Sequence, residues 1–62
     1  MKTTEISLTV LIASGEALFL TDGDHRYWVA KRLIPNYDPD WIEEETVDAE
    51  IPVWIAEKAG WI

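Results

Sequence analysis

Apolar and polar residues alternate along the first part of the chain, between residues 5 and 13. The apolar positions on one side of this pattern are Ile6, Leu8, Val10 and Ile12. The polar positions on the other side are Glu5, Ser7 and Thr9. A period of two residues, carried largely by β-branched side chains, is typical of a strand with one buried face. We therefore predict a first strand over residues 5–13 whose apolar side, including Ile12, faces the core.

Two more strands are predicted next, each separated from the preceding one by turn residues. Residues 16–21 place two leucines on one face of a strand and Phe19 on the other. Asp22-Gly23 then favours a type I′ hairpin turn, because both residues tolerate a positive φ. A third strand over residues 25–31 follows. Three strands joined by tight turns predict an antiparallel meander.

The second half of the chain predicts an irregular connection and a fourth strand. Pro35 cannot donate to a strand ladder, so it ends the regular region, and residues 36–45 form the connection. Residues 45–51 alternate again. The apolar side of this strand carries Val47, Ala49 and Ile51, and the polar side carries Thr46, Asp48 and Glu50.

A short helix is predicted at the end of the chain, over residues 52–59. Pro52 suits its first position, where a missing N–H costs nothing, and Gly60 suits a left-handed end. Trp61 is placed for the hydrophobic contact that accompanies such an end. We expect Trp54 and Trp61 to cover the sheet, as aromatic residues do in very small cores, and the same reasoning extends to Trp28.

The predicted fold is a single domain, residues 1–62, of the mainly β (α+β) class. A small bent antiparallel sheet of about four strands, SH3-like or a partly open barrel, carries the short C-terminal helix. The chain has 62 residues, no cysteine and 48% hydrophobic residues, including four tryptophans. Because no disulfide is available, the core must come from apolar and aromatic side chains alone.

The formal net charge of −7 belongs to the second half of the chain. Residues 1–32 sum to zero, whereas residues 33–57 contain eight acidic residues and no basic one. This distribution argues against binding nucleic acid by neutralising phosphates, which requires a basic surface. We call residues 38–50 the acidic segment. The candidate partner-binding residues in and beside it are Tyr37, Asp38, Asp40, Trp41, Glu43, Glu44, Glu45, Asp48 and Glu50.

Two interpretations of the acidic segment stay open. It is either a solvated face that keeps a small apolar-rich domain soluble, or an interaction surface for a strongly basic partner. On a strand, Asp48 and Glu50 would point the same way about 6.7 Å apart, a step comparable to neighbouring phosphates on a nucleic-acid strand. Tyr37 and Trp41 either anchor the connection to the domain or provide exposed contact area, since both residue types are frequent in binding hot spots.

Candidate sites for metal binding or catalysis are sparse. Asp22, Asp24 and His25 lack the ligand pattern of a calcium loop, and zinc would need a second histidine, so a plain hairpin turn is favoured. No pairing of a nucleophile with a base and no glycine-rich phosphate loop is evident. We therefore expect a protein without enzymatic activity, cofactor or metal.

A basic cluster beside aromatic residues raises the possibility of single-strand binding. It comprises Arg26, Trp28, Lys31 and Arg32, and aromatic residues among bases can stack nucleobases. The nearby acidic residues would repel a phosphate backbone. The favoured interpretation is therefore that the basic residues are charges at a strand end, lying above aromatic residues of the core. No apolar run reaches the length of a membrane span, and polar residues interrupt the N-terminal apolar stretch where a signal peptide would be continuous. We expect a cytoplasmic protein with no membrane contact.

Two sequence patterns resemble those of short proteins of phages and mobile elements. Such proteins pair a segment reading W-[VL]-P-K-S-x-I with a terminal I-P-x-W-[LI]-A-x-x-x-G-[LW]-I. The matches to the first are Trp28, Val29, Lys31 and Ile34, with departures at Ala30 and Arg32. The matches to the second are Ile51, Pro52, Trp54, Ile55, Ala56, Gly60 and Ile62. Small acidic phage proteins of this kind include anti-CRISPR and anti-restriction inhibitors, some of which mimic nucleic acid.

The resulting functional hypothesis is a non-enzymatic inhibitor, an anti-CRISPR or similar anti-defence protein. Its acidic segment would dock on the nucleic-acid-binding surface of a basic protein or ribonucleoprotein complex of a bacterial host. The alternative is a small barrel-type interaction module, such as an adaptor, accessory subunit or acidic antitoxin, that binds a protein through exposed aromatics.

Overall fold

The structure is a computed structural model that describes residues 1–62. Its elements are β1 (Thr3–Ala13), β2 (Ala17–Thr21), β3 (Arg26–Ala30), a 3-10 helix (Lys31–Leu33), β4 (Thr46–Pro52) and α1 (Val53–Ala59). The strands form one antiparallel sheet in the order β3-β2-β1-β4. The sheet is open, because its two edge strands do not pair with each other. The predicted class, a small antiparallel sheet of four strands with a short C-terminal helix, is confirmed.

The hydrophobic core lies on one face of the sheet, which we call the inner face. Helix α1 packs on this face, and the connection between β3 and β4 contributes Ile34 to it. The buried apolar residues are Leu8, Val10, Leu18, Leu20, Val29, Ile34, Val47, Ala49, Ile51, Ile55, Ala56, Ala59 and Trp61. The predicted apolar faces of β2 and β4 are thereby confirmed. Each fully buried Leu, Ile or Val contributes roughly 1.5–3 kcal/mol relative to an exposed position.

A β-bulge interrupts β1 and reverses the direction of Ile12. Val10 pairs with Leu20 but Ile12 pairs with Phe19, so Leu11 is the extra residue. Val10 is fully buried, whereas Ile12 is 45% exposed. The prediction that Ile12 faces the core is wrong, because one inserted residue moves the next side chain to the opposite face. We call that opposite face the outer face.

The turn between β2 and β3 is not the predicted type I′ turn. Asp22 N–H donates to His25 O at 3.3 Å, which makes Gly23 and Asp24 the central residues. Of these two, only Gly23 has a positive φ, 107°. The Asp22 carboxylate instead accepts the N–H groups of Asp24 and His25, at 2.9 and 2.8 Å. A side chain thus supplies the hydrogen bonds of the turn.

Helix α1 begins one residue later than predicted, because Pro52 is its N-cap. Gly60 ends it in the left-handed conformation with φ 82°, as predicted. Ile55, Ala56 and Ala59 face the core, so Trp54 points away from the sheet and is 50% exposed. Trp28 lies on the outer face, where it is 48% exposed. The expectation that these two tryptophans cover the core is therefore wrong.

Trp61 does pack on the core, with only 8% of its surface exposed. Its Nε1–H donates to His25 O at 3.0 Å. The His25 ring also lies against Gly60, where a Cβ would come within 3.1 Å of it. The C-terminal end of the chain is thus held against the β2–β3 turn by a hydrogen bond and by a close contact between Gly60 and the His25 ring.

Candidate partner-binding surface

The connection between β3 and β4 reaches the β4 edge of the sheet through Asn36. Its Nδ2 donates to Asp48 O at 2.9 Å, and its Oδ1 accepts Glu50 N–H at 2.9 Å. The side-chain amide therefore pairs with β4 as the backbone of a further strand would. This arrangement satisfies two backbone groups at one edge of the sheet and fixes the start of the connection beside the backbone of Asp48 and Glu50.

Tyr37 and Trp41 are partly buried and pack against the core. Their rings meet edge to face with centroids 5.6 Å apart, and Lys31 Nζ lies 5.3 Å from the centre of the Tyr37 ring. Edge-to-face aromatic pairs of this kind contribute about 0.5–1.5 kcal/mol beyond their buried area. The two rings therefore anchor the connection to the domain. Only their exposed edges are available for contact with a partner.

The three consecutive glutamates at residues 43–45 extend the pairing between β1 and β4. Val10 O accepts Glu44 N–H at 2.6 Å, and Val10 N–H donates to Glu45 O at 2.9 Å. Two residues thus face one, which is the arrangement of a β-bulge, and Glu44 adopts a positive φ of 71°. Glu43 also contacts β1, because its Oε2 accepts Ala13 N–H at 3.0 Å.

The strand carboxylates project from the outer face as predicted. Asp48 is exposed and Glu50 is partly buried. Across the sheet they face Ser7 and Glu5 of β1, respectively. Glu5 therefore belongs to the same acidic surface, although nothing in the local sequence pattern of β1 indicated it. Only the register of β1 against β4 brings it there.

The carboxylates of the surface are not neutralised by hydrogen bonds from lysine or arginine. Those of Asp38, Glu43 and Glu45 accept hydrogen bonds, and each donor is a backbone N–H. The side chains of Asp40, Glu44, Asp48 and Glu50 accept none. We use the name acidic surface for the carboxylates of Glu5, Asp38, Asp40, Glu43, Glu44, Glu45, Asp48 and Glu50. The predicted acidic residues lie on β4 or in the connection that precedes it, and every one except the partly buried Glu50 is exposed.

An exposed apolar row crosses the other half of the outer face. Ile12, Phe19 and Trp28 are cross-strand neighbours on β1, β2 and β3, and the rings of Phe19 and Trp28 have centroids 5.0 Å apart. Trp28 belonged to a predicted cluster, but Ile12 and Phe19 did not. The available signal was the position of Phe19 between two leucines. Because the leucines face the core, the alternation of a strand places the Phe19 ring on the solvent side of β2.

The remaining polar features are modest. The N–H groups of His25 and Asp24 hold the pKa of the Asp22 carboxyl below its ordinary value of 3.8. No three His, Asp or Glu side chains group closely enough to hold a metal ion. No pocket opens on the surface. None of the helices has the length and apolar character needed to cross a bilayer.

Comparison of the chain with protein-family models, with curated proteins and with solved structures finds no significant match. The resemblance to phage and mobile-element proteins therefore stays an expectation from the two sequence patterns.

Proposed function

We propose that the protein is a non-enzymatic inhibitor of a bacterial defence complex, of the anti-CRISPR kind, and acts in the bacterial cytoplasm. The acidic surface would occupy the basic groove in which such a complex holds nucleic acid. The observation that carries the proposal is that the carboxylates of β4 and of the connection before it accept no hydrogen bond from a basic side chain. Attraction between opposite charges would also speed association with a cationic groove.

The backbone at Glu44 supports a role for its carboxylate. A residue other than glycine with φ 71° costs about 1–2 kcal/mol, and glycine is the usual residue at this position of such a bulge. Strained residues of this type concentrate at functional sites. The negative charge of Glu44 therefore comes at a conformational cost that glycine would avoid, which supports a role for the carboxylate in binding.

The test uses charge reversal at three acids whose side chains accept no hydrogen bond, so that the fold is preserved. The variant D40K/E44K/D48K changes the net charge from −7 to −1. The matched control, E16K/D24K/E57K, makes the same change of charge at exposed positions outside the acidic surface. Circular dichroism would first establish that both variants fold.

Inhibition would be measured as plating of phage on bacteria that carry an active CRISPR system, and as displacement of a labelled oligonucleotide from purified effector complexes. We expect the protein and the control variant to protect phage and displace the oligonucleotide, and the acidic-surface variant to lose both activities. Equal activity of the two variants would overturn the proposal, as would inactivity of the unaltered protein against a broad panel of effector and restriction complexes.

The alternative function, a protein-interaction module that binds through exposed aromatics, is favoured by one observation. Trp28 and Trp54 are about half exposed, 48% and 50%. Salt separates the two functions, because a complex formed by the acidic surface weakens steeply as ionic strength rises, whereas an aromatic contact does not. Persistence of a complex at high salt, together with its loss in Trp28→Ala, would favour the alternative.

A further inference from the structure

The two edge strands of the sheet differ in their side-chain contacts. Asn36 bonds to the backbone of Asp48 and Glu50 on β4, whereas no side chain bonds to the backbone of β3. Asp22 N–H donates to His25 O and Lys31 N–H donates to Glu16 O, at the two ends of the β2–β3 pair. Ladder bonds alternate along an antiparallel pair, so Tyr27 and Val29 bond to β2. Arg26 and Trp28 alternate with these bonded residues. Their N–H and C=O groups therefore point away from β2, toward the open edge of the sheet.

The free groups define one preferred register for a second strand. Ala30 is the N-cap of the 3-10 helix, so its carbonyl is used within that helix. The available groups are then those of Arg26 and Trp28. An antiparallel copy of β3, related by a two-fold axis at Tyr27, would place Arg26 of each copy opposite Trp28 of the other. In that register the N–H of Arg26 would meet the C=O of Trp28 in the other copy, and the N–H of Trp28 would meet the C=O of Arg26.

The side chains suit the same register. Arg26 and Trp28 both lie on the outer face, where a guanidinium opposite an indole ring can form a cation–π contact. The apolar rows of Ile12, Phe19 and Trp28 in the two copies would lie side by side, offset by two residues, and Arg26 of each copy would extend the row of the other. The product is an eight-stranded sheet with two apolar rows flanking its two-fold axis on the outer face.

The charge distribution also fits a second copy of this chain. Residues 14–32, which include β2 and β3, carry three acidic and three basic residues and sum to zero. The acidic surface lies at the β4 edge. With strands about 4.8 Å apart, the two β4 strands of the pair would be about 34 Å from each other. This is several times the Debye length of about 8 Å at physiological salt, so their repulsion is screened.

We propose that the protein forms a two-fold symmetric dimer through antiparallel pairing of β3 with β3 of a second copy. The pairing is independent of the proposed function and leaves both acidic surfaces free at the outer ends. Because each copy contributes a strand of only five residues, the interface is small and the dimer weak, dissociating at concentrations of about 10⁻⁴ M.

Sedimentation velocity over a concentration series up to the millimolar range tests self-association. At physiological salt we expect the average mass to rise from 7.1 kDa toward twice that value. Amide exchange measured by NMR tests the interface itself. Protection of the Arg26 and Trp28 amides should increase with concentration, while the Tyr27 and Val29 amides, already bonded to β2, serve as the internal reference. A constant mass, or association without this protection, would overturn the proposal.

Two charge variants provide a further check. Arg26→Glu and Lys2→Glu each change the net charge from −7 to −9. Arg26 lies in β3, whereas Lys2 lies just before β1, whose first residue pairs with β4. We expect Arg26→Glu to weaken the dimer about tenfold through loss of two cation–π contacts. Lys2→Glu should leave it nearly unchanged. Equal weakening by both would attribute the association to overall charge and contradict the β3 interface.

Discussion

Glu5 and Glu50 face each other directly across β1 and β4 on the outer face. The N–H of Glu50 is turned toward Asn36 and away from β1, so the two glutamates form a non-hydrogen-bonded pair, the closer of the two types. Their Cα atoms are therefore about 4.5 Å apart by the geometry of such pairs. Like charges on directly opposite residues of a sheet oppose folding. The fold tolerates this cost within its acidic surface.

Removing one charge of this pair should stabilise the protein. We expect Glu5→Gln to raise the free energy of unfolding by about 0.5 kcal/mol, because like charges directly opposite each other in a sheet are destabilising. The gain should shrink at high salt. Urea denaturation at two ionic strengths measures it. Glu16→Gln, which removes an exposed acid with no facing carboxylate, should give a smaller change, and an equal gain would refute the pair as the cause.

The bulge in β1 predicts different costs for two aliphatic residues of the same strand. Leu8→Ala should destabilise the fold by about 2–5 kcal/mol, because Leu8 is fully buried and the substitution leaves a cavity. Ile12→Ala should cost well under about 2 kcal/mol, because nearly half of that side chain is already in water. Thermal or chemical denaturation of the two variants provides the comparison. Similar losses would place Ile12 in the core and contradict the bulge.

The strained backbone at Glu44 predicts that glycine is the more stable residue there. Glu44→Gly should raise the free energy of unfolding by up to about 1 kcal/mol, since glycine adopts a positive φ without steric cost. Glu44→Ala removes the same carboxylate but keeps the strain, so it is the matched control and should give no such gain. If both variants gain equally, charge rather than backbone conformation is responsible. Both should weaken binding of the proposed cationic partner.

The turn carboxylate predicts a pH dependence of stability. The pKa of Asp22 in the folded protein lies below its ordinary value of 3.8, because two backbone N–H groups stabilise the ionised form. Its contribution is therefore present above pH 3.8 and is lost as the pH falls through the folded pKa. Asp22→Asn removes this titration. The stability advantage of the unaltered protein over Asp22→Asn should shrink in acid. An advantage that grows in acid would contradict the assignment.

Most of the fold was predictable because its signals are local. The alternation in β2 and β4 placed the leucines and Val47 inward, and Gly60 with Trp61 marked the end of the helix. The faces of Asp48 and Glu50 followed from the same alternation. Sequence reasoning failed where a side chain's direction depends on distant partners. Ile12 faces away from the core because β1 has an inserted residue opposite β2. Trp28 and Trp54 were assigned to the core by residue type rather than by their position on an element.

The sequence by itself determined the four strands, the buried faces of β2 and β4, the C-terminal helix and the segregation of acidic residues into residues 33–57. Only the tertiary structure decided that Glu5 joins the acidic surface, that Asn36 bonds to the β4 edge, and that Ile12, Phe19 and Trp28 form one row. The physical reason is that alternation and turn propensity act between neighbours in the chain. Strand register, bulges and edge coverage are set instead by hydrogen bonds between residues that are far apart in it.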